Sequence, residues 1–184
     1  KLGQFLATRP DIIGENISKE LEKLQDRLPP FDTFKAKNIL NEEIGKENFD
    51  KILELSEPIA AASIAQVHFA KIKIGEEKKD VAIKILRPNI EKIFNEELDA
   101  LMLLAYIIQS IAKKTKRLKL IEIVQLLREI TNIEMDLRFE AAAANELYEN
   151  TKNDVGFQVP KIYWSQTSKK VLCLEKVNGI SIRE

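Results

Sequence analysis

Cysteine and histidine are almost absent from this sequence. Among its 184 residues there is one cysteine, Cys173, and one histidine, His68. A single cysteine excludes an internal disulfide framework, and it is typical of a protein in a reducing compartment or of a buried thiol. A single histidine excludes almost every metal site that is built from several imidazoles.

Neither sign of charge is in excess. The chain has 29 basic and 29 acidic side chains, so its formal net charge is zero. Nucleic-acid binding draws its affinity from many lysines and arginines that contact phosphates. Zero net charge therefore argues against a chain whose main role is to bind DNA or RNA, although a local basic patch remains compatible with it.

The sequence also lacks an apolar run of membrane-spanning length. The longest nearly uninterrupted one, Ala100 to Ala112, has 13 residues, whereas a spanning helix needs about 20. It predicts a buried helix in preference to a membrane-surface element. The first residues, Lys1 to Gln4, lack the apolar stretch of a secretory signal. Both termini fall inside helical patterns, so we expect the chain to be a fragment of a longer protein.

The residues that are present have the composition of a folded domain. Apolar side chains make up 45% and charged ones 32% of the chain, which is too apolar for disorder. Helical periodicity up to residue 51 gives way to strands and then to long helices, which predicts an α+β fold. The predicted strands are Ile52–Glu57, Ile64–Ile74, Val81–Leu86, Lys161–Trp164 and Lys170–Glu175, and the later predicted helices are Pro88–Thr115 and Leu120–Thr151.

The strongest functional signal is the lysine in Val81-Ala82-Ile83-Lys84. In protein kinases a strand of this kind carries a lysine that contacts the nucleotide phosphates and pairs with a glutamate from a helix behind the sheet. A lysine in an apolar strand is costly to bury unless anions compensate its charge. The alternative is an edge-strand lysine that points to water, and four residues alone do not decide between the two.

The segment Pro58–Ser63 lies between the first two strands, where a kinase has the loop that covers the phosphates. It has alanines in place of the glycines of kinases. Alanine lets a backbone approach phosphate oxygens, but it resists the positive φ angles that glycine adopts freely. We therefore predict a stiff loop that presents backbone N–H groups and the Ser63 hydroxyl to an anion. A small-residue turn packed on the sheet explains these residues equally well.

Three acidic residues follow in one predicted helix: Glu134, Asp136 and Glu140. Asp136 and Glu140 are four residues apart and share a face of a regular helix, whereas Glu134 does not. Such acids usually form a solvated face, and Arg138 offers Glu134 a partner. The four alanines 141–144 indicate a close approach to another element, which makes Glu140 a suitable counter-ion for Lys84.

Four segments together resemble the UbiB family of atypical kinases of ubiquinone biosynthesis, in the order in which that family has them. The segments are Lys1-Leu2-Gly3-Gln4, similar to the family's KxGQ signature; Leu24–Pro30, similar to its helix-ending LQD..PP segment; Ala60–His68, similar to its alanine-rich nucleotide loop and following strand; and Glu134-x-Asp136, similar to its ExD motif.

The resemblance implies a protein-kinase-like N-lobe with a five-stranded antiparallel sheet. Residues 1–51 would be the helical extension with the KxGQ motif, and residues 52–184 the lobe, ending at the hinge and lacking the C-lobe. The longer protein would be an ATP-dependent kinase-like enzyme or ATPase, with ATP and Mg²⁺ as cofactors. This segment lacks the catalytic loop and the DFG motif, so it holds no catalytic residue. The alternative is a non-catalytic, nucleotide-regulated module that binds quinone-pathway proteins.

The resemblance also implies roles for individual residues. Those expected at the nucleotide are Ala60, Ala61, Ala62 and Ser63 of the loop, Lys84 with Glu140 as its partner, and Leu174, Glu175, Lys176 and Val177 of the hinge. Those expected to regulate the site are Lys1, Gln4, Glu134 and Asp136. The two acids would face Lys1 and Gln4 and help to bind metal, although no metal ligand is certain.

The resemblance further implies partners and a location. The expected partners are a nucleotide, proteins of quinone biosynthesis and their lipid precursors, with no nucleic acid among them. The longer protein is expected to associate with a membrane. We expect the cytoplasmic face of a bacterial inner membrane, with the mitochondrial inner membrane as the alternative.

Overall fold

A computed structural model describes residues 14–16, 29–111 and 118–179. Lys1, Gln4 and most of the helical region before Pro29 lie outside the described residues. Within the described residues, four complete α-helices, four strands and one complete short 3₁₀ helix follow one another. They are α1 (Thr33–Phe49), β1 (Ile52–Ala61), β2 (Ala65–Ile74), β3 (Glu77–Leu86), α2 (Ile90–Ile111), α3 (Leu120–Glu134), α4 (Leu137–Thr151), the 3₁₀ helix Trp164–Gln166 and β4 (Val171–Glu175). The predicted α+β class is confirmed.

The strands form one antiparallel sheet in the order β1-β2-β3-β4. The pairing of β2 with β3 is regular from Ala65 opposite Leu86 to Ile74 opposite Glu77. Only two residues remain for the turn, and the first of them, Gly75, has a φ of 59°. Two-residue hairpins require such a left-handed conformation, which glycine adopts without strain. The third strand therefore begins at Glu77, earlier than the predicted Val81.

The prediction of five strands was wrong for the part of the chain that the structure describes. Segment 161–164 makes one isolated bridge, Ile162 to Leu174, at the outer edge of β4. The chain then turns into the 3₁₀ helix, where the Thr167 N–H donates to the carbonyl of Trp164 over 3.1 Å. That turn takes the backbone away from β4 before a ladder can form, and Pro160 just before the segment has no N–H to donate.

The predicted helix 120–151 is in fact two helices. Met135 ends α3, and Asp136 is in an extended conformation, with φ −120° and ψ 95°. The Asp136 carboxylate caps α4 by accepting a hydrogen bond from the Arg138 N–H, over 3.1 Å. The Leu137 N–H donates outside the helix, to the carbonyl of Lys169 at 2.8 Å. An aspartate that satisfies a free backbone N–H favours a helix start over a helix interior.

Each face of the sheet has its own hydrophobic core, since successive side chains of a strand point to opposite faces. Along β4, Val171 and Cys173 belong to one core and Leu172 to the other. The core under α1 contains Ala36, Leu40, Ala70, Ile72, Val81, Ile83, Ile85, Val171 and Cys173. The core under α4 contains Ile64, Ala65, Leu86, Ile90, Met135, Leu137, Ala141, Ile162 and Leu172.

The apolar run 100–112 falls largely in α2, and the prediction that it is buried holds for only part of it. Leu98 and Ala105 pack with Val124 of α3 in a third, smaller core. Leu103 and Tyr106 on the other side are more than half exposed, at 62% and 54%. The reason is that, among the described elements, α2 packs mainly against α3, which covers one stripe of its surface. Among the described helices, none is both long and apolar enough to cross a membrane.

The single cysteine gives a direct measure of the stability of the sheet. Cys173 is fully buried in β4, and burial raises the pKa of its thiol to about 12. Because the thiolate is the reactive form, we predict that iodoacetamide at pH 8 modifies folded protein only as fast as the sheet opens, and urea-unfolded protein at the rate of a free thiol. Mass spectrometry follows the reaction, with Cys173→Ala as the unreactive control. Equal rates in native and unfolded protein would contradict this placement.

Candidate functional site

An ion pair joins β3 to α4. The ammonium Nζ of Lys84 lies 2.7 Å from Oε2 of Glu140, and the two side chains are 26% and 51% exposed. Lys84 alternates with Ile83 and Ile85, which belong to the core on the α1 side, so it points to the opposite face of the sheet, towards α4. The structure thus brings Lys84 together with Glu140, which is the one of the three acids that the sequence predicted as its counter-ion.

The start of α4 brings Glu140 to the sheet. Asp136 sets the first turn of α4, and Leu137 and Ala141 are buried in the core against the sheet. Glu140 immediately precedes Ala141, whose small side chain lets the helix approach closely. Of the four alanines, Ala141 and Ala144 pack inwards, while the other two are exposed. The predicted close approach therefore applies to one stripe of α4.

Lys84 lies at a cleft of about 660 Å³. A cavity of this size is in the range that small-molecule ligands occupy, about 300–1,000 Å³. The walls come from the segment before α1, the end of β1 and the start of β2, and the lining residues are Pro29, Pro30, Pro58, Ile59, Ala60, Ala61, Ala62, Ala65, Val67 and Lys84. Among the described residues, the cleft combines an apolar lining with one cation, Lys84, which suits a ligand that has both an apolar and an anionic part.

The alanine-rich loop is shorter than predicted. Ala60 and Ala61 belong to β1, paired with Val67 and Gln66 of β2, so that only residues 62–64 form the turn. The N–H of Ala62 donates to the carbonyl of Ala65 over 2.8 Å. That N–H closes the turn, so it cannot bind an anion as the sequence analysis expected. No residue of the turn has a positive φ, which explains why glycine is not needed there.

Asp136 has a structural partner within its own helix turn. Its Oδ1 accepts from Arg138 Nε at 2.9 Å and its Oδ2 from Arg138 Nη2 at 2.6 Å. These hydrogen bonds hold the pKa of the Asp136 carboxyl below its ordinary value of 3.8. Arg138 therefore pairs with Asp136 and not with Glu134, the last residue of α3. Because α4 begins at Leu137, the predicted helix face shared by Asp136 and Glu140 does not exist.

The predicted hinge begins inside β4. Leu174 and Glu175 are its last residues, and Leu174 packs against the core under α4. The N–H of Glu175 donates to the carbonyl of Lys161 at 2.8 Å, and that of Lys176 to the carbonyl of Asp80 at 3.1 Å. Val177 is exposed. The backbone donors of Glu175 and Lys176 are thus used within the protein.

Two apolar residues that the sequence analysis did not select complete the surface beside Lys84. Val67 stands opposite Lys84 in the sheet, and Ala82 stands opposite Leu174. The two-residue period of the strands puts Val67, Ala82, Lys84 and Leu174 on the same face. This periodicity, counted from Lys84, was the signal in the sequence that would have identified them.

The described residues do not form a metal centre of their own. None of their acidic, histidine and cysteine side chains gather in groups of three or more that could hold an ion. Asp136 is occupied by Arg138, and Glu140 by Lys84. Lys1 and Gln4, which were expected to face Glu134 and Asp136, lie outside the described residues.

Sequence comparisons relate the chain to known proteins. The sequence profile of the ABC1 atypical kinase-like domain matches residues 23–184. Three similar curated proteins are each called "Probable protein kinase UbiB". They come from Marinobacter nauticus (36% identical), Pseudomonas fluorescens strain Pf-5 (37%) and Azotobacter vinelandii (36%), each aligned with all of this chain. The chain spans about a third of their length, 33% of the first and 34% of the other two.

The helix cap at Asp136 makes a prediction about stability and pH. Asp136→Ala removes the cap and the Arg138 contacts, and we expect it to lower the free energy of unfolding by about 0.5–2 kcal/mol at pH 7. Because the folded pKa is lowered, the stabilisation from the charge is present above the unfolded value near 3.8 and is lost as the pH falls through the folded pKa. The difference in the free energy of unfolding between wild type and Asp136→Ala should therefore become smaller below pH 4.

Urea titrations at pH 7 and pH 3 measure this difference. Asp136→Asn is the matched control, because an asparagine still caps a helix but carries no charge to lose. It should show less pH dependence than the wild type. A difference between wild type and Asp136→Ala that stays constant from pH 7 to pH 3 would contradict the assignment.

Proposed function

Because the chain belongs to the ABC1 atypical kinase-like family, we propose that it is the ATP-binding lobe of a longer UbiB-like kinase or ATPase that supports ubiquinone biosynthesis. We assign residues 52–184 to the lobe and residues 1–51 to the extension that carries the KxGQ-like motif. The observation that carries the proposal is the Lys84–Glu140 ion pair at the edge of the 660 Å³ cleft.

The ion pair is better explained by a ligand than by stability. A pair as exposed as this one contributes about 0–1 kcal/mol, which is little compensation for a lysine in an apolar strand. A lysine ammonium has three N–H donors, and Glu140 accepts a hydrogen bond from Lys84. The other N–H groups of Lys84 can donate hydrogen bonds to phosphate oxygens, while Glu140 holds the lysine side chain in place.

The rest of the surface suits the other end of a nucleotide. Val67, Ala82 and Leu174 lie on the face of Lys84 and offer an apolar surface for a planar base. Since the N–H groups of Glu175 and Lys176 are already donated within the protein, we assign polar recognition of the base to the hinge carbonyls and to Val177. Ser63, in the turn next to Ala62, does not itself line the cleft, and we propose its hydroxyl as a contact for a phosphate.

Magnesium does not fit the described residues as a site of their own, because Asp136 and Glu140 have cationic partners. We propose that ATP occupies the cleft, whose volume and apolar lining suit it; its metal would be held elsewhere in the longer protein and by the phosphates themselves. In a kinase-like fold the catalytic aspartate, the metal-binding asparagine and the DFG aspartate come from the larger lobe after the hinge. We therefore assign this chain binding and positioning of ATP, and no catalytic residue.

The proposed pathway rests on the family resemblance and on the name UbiB that the relatives carry, and the proposed location rests on the resemblance. On that basis the longer protein assists proteins that modify lipid-soluble quinone precursors. It does so in association with a membrane, on the cytoplasmic face of a bacterial inner membrane. The three relatives described above come from bacteria, which favours this over the mitochondrial alternative.

The test of the proposal is nucleotide-dependent stabilisation of the full-length protein. A ligand at 100 times its Kd adds about 2.7 kcal/mol to the stability of a protein that binds it only when folded. We expect Mg-ATP to raise the thermal midpoint of the wild type, and Lys84→Ala to abolish the rise while leaving the midpoint without nucleotide nearly unchanged. Differential scanning fluorimetry measures both.

Lys71→Ala is the matched control. Lys71 lies on a strand of the same sheet and pairs with a glutamate, Glu54, at 2.9 Å, but it does not line the cleft. Its variant should keep the full response to Mg-ATP. An unchanged response in Lys84→Ala, or an equal loss in both variants, would refute the assigned role of Lys84.

A further inference from the structure

We propose that Arg87 is a positioning residue that ties the alanine turn, residues 62–64, to the Pro29–Pro30 segment on the other wall of the cleft, and thereby fixes the opening of the nucleotide site. The proposal rests on the nucleotide site proposed above. It adds a residue that neither lines the cleft nor takes part in the Lys84–Glu140 ion pair. Arg87 follows the end of β3, three residues after Lys84.

The guanidinium of Arg87 donates to both walls. Its Nε donates to the carbonyl of Ala62 at 3.0 Å, and its Nη2 donates to the carbonyl of Pro29 at 3.0 Å. Its backbone N–H donates to the carbonyl of Ile64 at 2.8 Å. The donors of a guanidinium are held in one rigid plane, unlike those of an ammonium. Arg87 therefore fixes the separation between Ala62 and Pro29 as well as binding to each.

The Pro29–Pro30 wall is held separately by a buried side-chain network. The Gln66 amide accepts from the Phe31 N–H at 2.9 Å through Oε1, and its Nε2 donates to the Phe31 carbonyl at 3.2 Å. The same Nε2 lies 2.9 Å from His68 Nε2, and His68 Nδ1 lies 2.7 Å from the carbonyl of Ser56. Gln66 and His68 are both fully buried.

The hydrogen-bond partners in this network determine the tautomer of His68 and the orientation of the Gln66 amide. The carbonyl of Ser56 can only accept, so His68 carries its proton on Nδ1 and accepts from Gln66 through Nε2. Both polar atoms of the Gln66 side chain are then satisfied, which fixes the amide in one orientation. Phe31 is thereby clamped directly after Pro30, so this wall is the fixed one and the turn at Ala62 is the part that Arg87 restrains.

The consequence concerns the affinity for a nucleotide. A turn that is held in place before binding loses less conformational freedom when the ligand binds, which strengthens binding. Without the tie, the turn at 62–64 must be ordered by the nucleotide itself. A residue that only stabilised the fold would instead change the thermal midpoint without changing the intrinsic affinity of folded protein.

The experiment compares Arg87→Lys with wild type in the full-length protein. The lysine keeps the charge but has no rigid pair of donors to span two carbonyls. We expect the affinity for Mg-ADP, by isothermal titration calorimetry, to fall about three- to tenfold, the size expected for losing one hydrogen bond in the ligand-ready state. We also expect faster hydrogen–deuterium exchange of the amides of residues 62–64 in the nucleotide-free protein.

Arg128→Lys is the matched control. Arg128 Nη2 donates to Asp99 Oδ1 at 2.6 Å between α3 and α2, away from the cleft. Its variant should lose stability to a similar extent but keep the affinity for Mg-ADP and the exchange rates at residues 62–64.

The outcomes separate this inference from the proposed function. Wild-type affinity and wild-type exchange in Arg87→Lys would overturn the inference, and would leave the nucleotide site standing as long as Lys84→Ala fails to bind. A wild-type protein that binds no Mg-ADP would overturn the proposed function. In that case faster exchange at residues 62–64 in Arg87→Lys, with none in Arg128→Lys, would still support the tie between the two walls, and unchanged exchange would refute it.

Discussion

The contact between the Lys84 ammonium and the Glu140 carboxylate, at 2.7 Å, is the interaction on which the functional interpretation depends. It requires β3 to turn Lys84 away from the core under α1, and it requires α4 to lie over that face of the sheet. Because an exposed ion pair contributes little to the stability of a protein, stability alone explains the pairing of these two residues poorly. A charged ligand in the adjoining cleft explains it better.

The position of α4 follows from a few local choices in the sequence. Asp136 breaks the preceding helix and caps the new one, and Leu137 gives its N–H to the loop before β4. Ala141 then lets the helix lie close to the sheet. Asp136 thus affects the site indirectly, because it sets where the helix that carries Glu140 begins. The aspartate of Glu134-x-Asp136 therefore has a structural role at the start of α4.

The part of the site that could be predicted is the part governed by strand periodicity and by a strong motif. Alternation located β2 and the end of β3, and the lysine motif with the alanine run selected Lys84 and Glu140. The helix break at Asp136 was missed because an aspartate inside an apolar pattern gives the same period whether it caps or continues a helix. The role of Arg87 had no signal, since its partners are backbone carbonyls distant in sequence.

The most direct test of the central claim is chemical labelling of the full-length protein with an acyl phosphate of ATP, which transfers its acyl group to a lysine amine next to the bound phosphates and releases ATP. Peptide mapping by mass spectrometry identifies the modified lysines. We expect Lys84 to be the main modified residue of this chain, and we expect excess Mg-ADP to prevent its modification. Labelling of Lys84 no greater than that of surface lysines such as Lys71, and unaffected by Mg-ADP, would contradict this expectation.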